Sequence, residues 1–128
     1  MQFLHLAAIG LGGCLGAISR FYINLLFLKR FPEASYWGTF SVNLAGCLAI
    51  GFLMALAETH QRTFPQWLFY LLVVGYLGSL TTFSTFGFQT IELLRESRAM
   101  EALVFVGVNL IGGLLAVVLG YVLSSPWT

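Results

Sequence analysis

The sequence predicts an all-α membrane protein with four transmembrane helices, forming a single domain over residues 1–128. Hydrophobic residues make up 59% of the chain and charged residues only 9%, whereas soluble domains carry about 25% charged residues. Four apolar segments, separated by charged residues, each reach the roughly 20 residues that a helix needs to cross a bilayer. The net charge of +1 gives no electrostatic basis for binding nucleic acid.

The charged residues between the segments set the predicted bounds of the spans. The spans are Phe3–Leu28, Tyr36–Ala57, Pro65–Leu94 and Ala102–Leu123. Because the linkers between them are short, consecutive spans are expected to be antiparallel neighbours.

The basic residues of the linkers predict an orientation in the membrane. Lys29, Arg30, Arg95 and Arg98 fall on the side of the first and third linkers, and Arg62 alone falls on the other side. The positive-inside rule therefore predicts that both termini lie outside the cell and that most copies share one orientation.

Glycines inside the spans predict close helix packing. Gly12 and Gly16 are four residues apart in the first span, a small-xxx-small pattern that lets two helix backbones approach closely. The glycines of the fourth span indicate a similarly narrow helix; they are Gly107, Gly112, Gly113 and Gly120.

The third segment contains an unusually polar centre, which runs from Gly75 to Phe86 and includes five serine and threonine side chains. One interpretation is a continuous helix bent by its glycines. The other is a broken helix with its carbonyl groups turned toward an ion, because interrupted membrane helices commonly mark binding sites. The spacing of the residues does not separate the two.

Polar side chains inside the other spans are costly in lipid, and each has two interpretations. Arg20 can hold a structural position, raise the anion concentration in a vestibule, or extend to the interface. Asn43, which shares a helix face with Thr39, can bind a neighbouring helix or offer its amide to an anion. For Asn109 the interhelical interpretation is preferred.

Phe83 and Phe86 are three residues apart, so they share a face of a helix. The chain has twelve phenylalanines, and packing or lipid contact explains most of them. The positive edge of an aromatic ring can nevertheless hold an anion without a nearby cation. Ser84 and Thr85 add hydroxyl donors beside the two rings.

Catalytic patterns are not visible in the sequence, and we expect a protein that is not an enzyme. The chain has no Ser-His-Asp, Cys-His, HExxH or phosphate-loop arrangement. Cys14 and Cys47 lack metal-ligand spacing and are expected to be free thiols inside the spans.

Three motifs resemble the Fluc (CrcB) family of fluoride channels. They are Gly12-Gly13-Cys14-Leu15-Gly16 with Arg20, then Gly38-Thr39-Phe40-Ser41-Val42-Asn43, and then the stretch from Gly75 to Phe86. The resemblance covers nearly the whole chain. The run Thr81-Thr82-Phe83-Ser84-Thr85-Phe86 in a four-span protein of this size is its most specific part.

The resemblance implies a dimer of two oppositely oriented subunits, with two fluoride pores along their interface. It implies that the third helix breaks between Gly78 and Thr81, whose carbonyls hold a structural Na⁺ ion that is not transported. The implied pore residues are Asn43, Phe83, Phe86, Ser84 and Thr85, and Thr39 is added because it shares the face of Asn43.

Some positions depart from the family pattern. Gly87, Phe88 and Gln89 stand where the family commonly has Ser-x-Glu, and Gly113 and Val117 replace a Ser and a Thr of the fourth helix. Much of one polar track is therefore missing. This favours an antiparallel pair with a paralogous partner over a homodimer, which remains a close alternative.

The function expected from the sequence is a passive, fluoride-selective channel of the inner (plasma) membrane, which exports fluoride and gives fluoride resistance. One alternative is a small multidrug or cation exporter, but proton coupling usually needs a carboxylate inside the membrane. Glu92, near the end of its span, is the only acid available. A further alternative is a subunit that conducts poorly unless paired with a paralogue.

Overall fold

The computed structural model describes residues 2–59 and 64–124. Within them, four helical spans are long and apolar enough to cross a membrane, as the sequence predicts. The first span is helix α1 (Gln2–Arg30) and the second is helix α2 (Tyr36–Thr59), with a short 3₁₀ turn, Pro32–Ala34, between them. The third span is Gln66–Arg95 and the fourth, helix α5, is Ala99–Ser124.

The third span is broken, so the continuous-helix interpretation is wrong. Its first half, helix α3, covers residues 66–80 and includes the π-helical section Tyr70–Leu77; its second half, helix α4, is Phe83–Arg95. Between them Thr81 (φ −82°, ψ 153°) and Thr82 (φ −151°, ψ 118°) have extended backbones.

The break begins at the C-terminal end of the stretch that the resemblance implies. Gly78 (φ −61°, ψ −28°) is still helical, so the chain leaves the helix at Thr81 rather than at the glycine. Thr82 then starts a new helix as its N-cap, since its hydroxyl accepts the Thr85 N–H at 3.2 Å. The extended backbone of Thr81 and the N-cap at Thr82 together therefore explain the break locally.

Helices α1 and α3 pack closely because glycines face backbone atoms between them. A Cβ at Gly12 would overlap the carbonyl oxygen of Leu71, and a Cβ at Gly16 would overlap that of Tyr76. Gly75 of α3 faces back toward Ile9 in the same way. The close approach predicted for Gly12 and Gly16 is therefore confirmed.

Helices α2 and α5 form the second close pair. A Cβ at Gly51 would overlap the carbonyl oxygen of Val117, and one at Gly120 would overlap that of Leu48. The packing prediction is confirmed for Gly120. For Gly107 it stays a prediction, because a Cβ there would meet no described atom of this chain within 4 Å.

Arg98 joins the first and third linkers at one end of the bundle. It donates to the carbonyl oxygen of Glu33 at 2.7 Å, to both carboxylate oxygens of Glu101 at 2.6 and 2.8 Å, and to Glu96 at 3.1 Å. The hydrogen bonds to Glu101, and then to Glu96, raise the pKa of Arg98. The two linkers thus share one side, as the orientation argument requires; Arg62 lies outside the described residues.

Two residues after the end of helix α4, the backbone of Ser97 lies in the left-handed region at φ 62°. The Arg98 N–H bonds the Leu93 carbonyl and the Ser97 N–H bonds that of Leu94, which is the Schellman arrangement usually completed by glycine. A serine in this conformation therefore stores backbone strain.

Ser97→Gly is expected to raise the free energy of unfolding by about 0.5–1 kcal/mol, because glycine adopts positive φ without steric cost. Thermal unfolding of the purified protein in detergent measures the change. Ser35→Gly is the matched control, since Ser35 has φ −62° and ψ −23° and should lose stability instead. A lower melting temperature for Ser97→Gly would contradict the strain argument.

Candidate functional site

The break in the third span opens a cleft of about 340 Å³ on the surface of the bundle. Its lining combines polar groups at the break with apolar side chains of α2, α3 and α5. The lining residues are Asn43, Gly46, Cys47, Ile50, Val73, Leu77, Gly78, Thr81, Thr82, Phe83, Phe86, Asn109 and Leu110. The cleft thus brings together five of the predicted site residues, which are Asn43, Gly78, Thr81, Phe83 and Phe86.

Asn43 pairs with the backbone of Thr82 through both ends of its amide. Its Oδ1 accepts the Thr82 N–H at 2.8 Å, and its Nδ2 donates to the Thr82 carbonyl at 3.2 Å. Nδ2 also donates to Oδ1 of Asn109 at 3.2 Å. The amide of Asn43 therefore supplies the acceptor that the Thr82 N–H lacks outside a helix, and both hydrogens of its Nδ2 are donated, to Thr82 and to Asn109.

Asn109 connects this pair to helix α5. Its Nδ2 donates to the carbonyl oxygen of Phe105 at 2.8 Å, which leaves its Oδ1 directed at Asn43. This contact agrees with the interhelical interpretation of Asn109. The break is consequently tied to both α2 and α5.

The break leaves the carbonyls of residues 78–81 without their partners in a continuous helix, and two of these residues line the cleft. In a continuous helix the N–H groups of Thr82 and Thr85 would donate to the carbonyls of Gly78 and Thr81. Here they donate instead to Oδ1 of Asn43 and to the Thr82 hydroxyl. The Gly78 and Thr81 carbonyls are thus available to a hard cation, and both residues line the cleft.

Arg20 satisfies a third carbonyl of the same turn. Its Nε donates to the Ser79 carbonyl at 3.0 Å, which connects α1 to the end of α3. A contact that joins two helices in this way agrees with a structural role for Arg20. Arg20 is not among the residues that line the cleft. Its predicted effect on a vestibule remains a prediction.

The hydroxyls of Ser84 and Thr85 gather around Thr82 rather than in the cleft. The Thr82 hydroxyl donates to that of Thr85 at 3.0 Å and lies 3.3 Å from that of Ser84. Sequence reasoning missed Thr82, although a threonine directly before the first residue of an apolar-periodic segment is a recognised N-cap signal. The pore roles of Ser84 and Thr85 remain predictions.

The two phenylalanines share a face, as predicted, but their surroundings differ. Their ring centroids are 5.5 Å apart. Phe83 is 78% exposed, whereas Phe86 is only 7% exposed. Phe86 is therefore the inner wall of the cleft and Phe83 its rim.

Thr39 lies outside the cleft lining. It is fully buried, and its hydroxyl has no hydrogen-bond partner among the described residues; the same holds for Oε1 of Gln89. Buried polar atoms are normally paired, so these two atoms are exceptions to the usual pattern. The pore role of Thr39 remains a prediction.

Asn43→Leu is expected to destabilise the protein by about 1–3 kcal/mol, because it leaves the Thr82 N–H without its hydrogen-bond partner. Thermal unfolding in detergent measures the loss. Asn109→Leu is the matched control, since it removes a neighbouring amide but leaves the Asn43–Thr82 pair in place, and it should cost less. Equal melting temperatures for the two variants would contradict the account of the break.

Comparisons with known proteins agree with this architecture. Residues 7–121 match the family model described as CrcB-like protein, Camphor Resistance (CrcB). A Chloroflexus aurantiacus protein named fluoride-specific ion channel FluC is 40% identical over 116 residues, covering 91% of each chain.

Proteins of the same name from two other bacteria are similar over comparable lengths. The one from Hydrogenovibrio crunogenus is 39% identical over 123 residues, covering 91% of this chain and 88% of the relative. That from Acidobacterium capsulatum is 33% identical over 125 residues, covering 98% and 97%. A match of this extent, over a four-span bundle with a broken third span, shows that the chain belongs to the CrcB family.

Proposed function

We propose that this chain is the subunit of a fluoride-selective channel, which lets fluoride leave the cytoplasm passively across the plasma membrane. The observation that carries the proposal is the cleft at the helix break, lined by the Asn43 amide and the Phe86 ring. Its position in a member of a family whose relatives are named fluoride-specific ion channels supports the assignment.

The chemistry of the cleft suits a small, hard anion. The positive edges of phenyl rings attract an anion without a full positive charge that would hold it too tightly. The Asn43 amide can donate to the anion only by releasing the Thr82 carbonyl or Asn109. A narrow passage of this kind requires the ion to exchange water for a few close contacts, which only a compact anion can make. Chloride, being larger and softer, should be rejected.

The structure offers little to the exporter alternative. The described residues that line the cleft include no carboxylate. Glu92 lies at the end of the third span, exposed beside Arg95 and Glu96. A proton-coupled exporter would need an acid inside the membrane, so the passive channel is the better proposal.

A second subunit in the opposite orientation is part of the proposal. The cleft is open on one side, where Gly78 is exposed and Phe83 is 78% exposed. A partner subunit would complete the walls of the ion path and cover these residues. The partner is either another copy of this chain or a paralogue with an intact polar track.

A structural Na⁺ ion fits the released carbonyls of Gly78 and Thr81. Hard cations prefer oxygen ligands, and the N–H groups that would occupy these two carbonyls in a helix are directed elsewhere. When bound, the ion would balance carbonyl dipoles at the break. It would stabilise the assembly and would not move with fluoride.

Liposomes containing only this protein should release fluoride and retain chloride, as followed with ion-selective electrodes. Phe83→Leu should slow fluoride release because it removes a ring at the rim of the cleft. Phe21→Leu, at a similarly exposed position (63%) in α1, is the matched control and should release fluoride normally. Comparable fluoride and chloride fluxes would overturn the channel assignment.

Fluoride release should carry net current without accompanying sodium if the Na⁺ ion is structural. The measurement compares fluoride efflux with ²²Na⁺ efflux from the same vesicles, with and without a potassium ionophore to clamp the voltage. Fluoride efflux should depend on the ionophore, and ²²Na⁺ should stay inside. Stoichiometric release of sodium would contradict a structural role.

The excess of basic residues at one end predicts a predominant orientation with the termini outside. A cysteine-reactive, membrane-impermeant label at a C-terminal tag, applied to intact cells, measures the accessible fraction. Variants with Cys14→Ser and Cys47→Ser show how much of the labelling comes from the thiols of the chain itself. Equal labelling from both faces, together with full activity of this chain alone, would favour the homodimer over the paralogous pair.

A further inference from the structure

We propose that Phe105 and Tyr36 are positioning residues for the ion path, because they hold the ring of Phe86 in one orientation at the cleft wall. The inference rests on the proposed function, since it assigns a role in that path. Of the two rings of the cleft, Phe86 is then fixed and Phe83 can move.

A continuous series of aromatic contacts leads from the linker end of the bundle to the cleft. Tyr36 and Phe105 have ring centroids 5.1 Å apart at an interplanar angle of 69°. Phe105 and Phe86 follow at 5.4 Å and 51°, and Phe86 and Phe83 at 5.5 Å and 52°. These are favourable tilted or edge contacts, which set ring orientation as well as distance.

The far end of the series is anchored by hydrogen bonds and charge. The Tyr36 hydroxyl donates to Glu101 at 2.8 Å, and the Arg98 guanidinium lies 5.8 Å from the centre of the Tyr36 ring. Arg98 also holds Glu101 with two hydrogen bonds. The tyrosine ring is thereby fixed at its hydroxyl and on its face.

The first three rings of the series are buried and the last is exposed, which determines which ring can move. Phe105 is 0% exposed, Tyr36 and Phe86 are each 7% exposed, and Phe83 is 78% exposed. In a close-packed interior a ring cannot leave its rotamer without displacing its neighbours. Phe86 can therefore turn only if Phe105 moves, while Phe83 can turn freely until a partner covers it.

The consequence concerns selectivity more than stability. An anion beside a phenyl ring is attracted by the edge and repelled by the face, so the orientation of Phe86 decides whether the cleft wall attracts fluoride. Phe105 contacts the Phe86 ring from within the core and is absent from the cleft lining. It can affect the ion only through the orientation of Phe86.

The test compares Phe105→Leu with Leu93→Ala in the full-length protein. Leu93 is 3% exposed and belongs to the same hydrophobic core, and both changes remove a few buried carbons without adding a polar group. Both variants should lose thermal stability. Only Phe105→Leu should lower the ratio of fluoride to chloride flux, by roughly two- to tenfold.

Fluorine NMR of 4-fluorophenylalanine at position 86 provides a readout that does not depend on transport. Phe105→Leu should shift or broaden the signal, whereas Leu93→Ala should leave it close to that of the parent. Phe105→Met serves in place of Phe105→Leu if the latter does not fold.

The outcomes separate the positioning role from the proposed function. A parent protein that releases no fluoride would overturn the channel assignment, while the NMR comparison would still decide whether Phe105 orients Phe86. Equal flux ratios and equal fluorine signals for the position-105 and position-93 variants would overturn the positioning role.

Discussion

Hydrogen bonding at the break of the third span is the constraint on which the rest of this structure depends. Backbone groups in hydrocarbon have no water to bond, so a helix can be interrupted there only if other groups replace the lost partners. Asn43 bonds the N–H and carbonyl of Thr82, the Thr82 hydroxyl caps α4, and Arg20 takes the Ser79 carbonyl. Gly78 and Thr81, whose carbonyls lack their helical partners, line the cleft where the proposed sodium site lies.

The remaining architecture holds these partners in place. Glycine contacts bring α1 against α3 and α2 against α5, so the side chains that support the break come from helices whose separation is fixed by backbone contact. At one end of the bundle, Arg98 joins the first and third linkers. It also lies against the Tyr36 ring, which begins the aromatic series that leads to Phe86. Ser97, which precedes Arg98, holds its left-handed backbone at the same end.

Much of the fold could be predicted from the sequence, because long apolar segments separated by charges have few alternatives in a bilayer. The four spans and the close approach at Gly12 and Gly16 follow from composition and spacing alone. The break could not be placed to the residue, because glycine is compatible with a membrane helix and the deciding group, the Asn43 amide, is 39 residues from Thr82. The contrast between Phe83 and Phe86 was likewise invisible, since it depends on Phe105 in another span.

Hydrogen exchange of the Thr82 amide, followed by NMR in the parent and in Asn43→Ala, tests the central claim most directly. The account predicts slow exchange in the parent and fast exchange in the variant. The Gly78 amide, which donates to carbonyls within α3, should be protected in both. Unchanged protection of Thr82 in the variant would show that its N–H is bonded along a continuous helix, and would contradict the account.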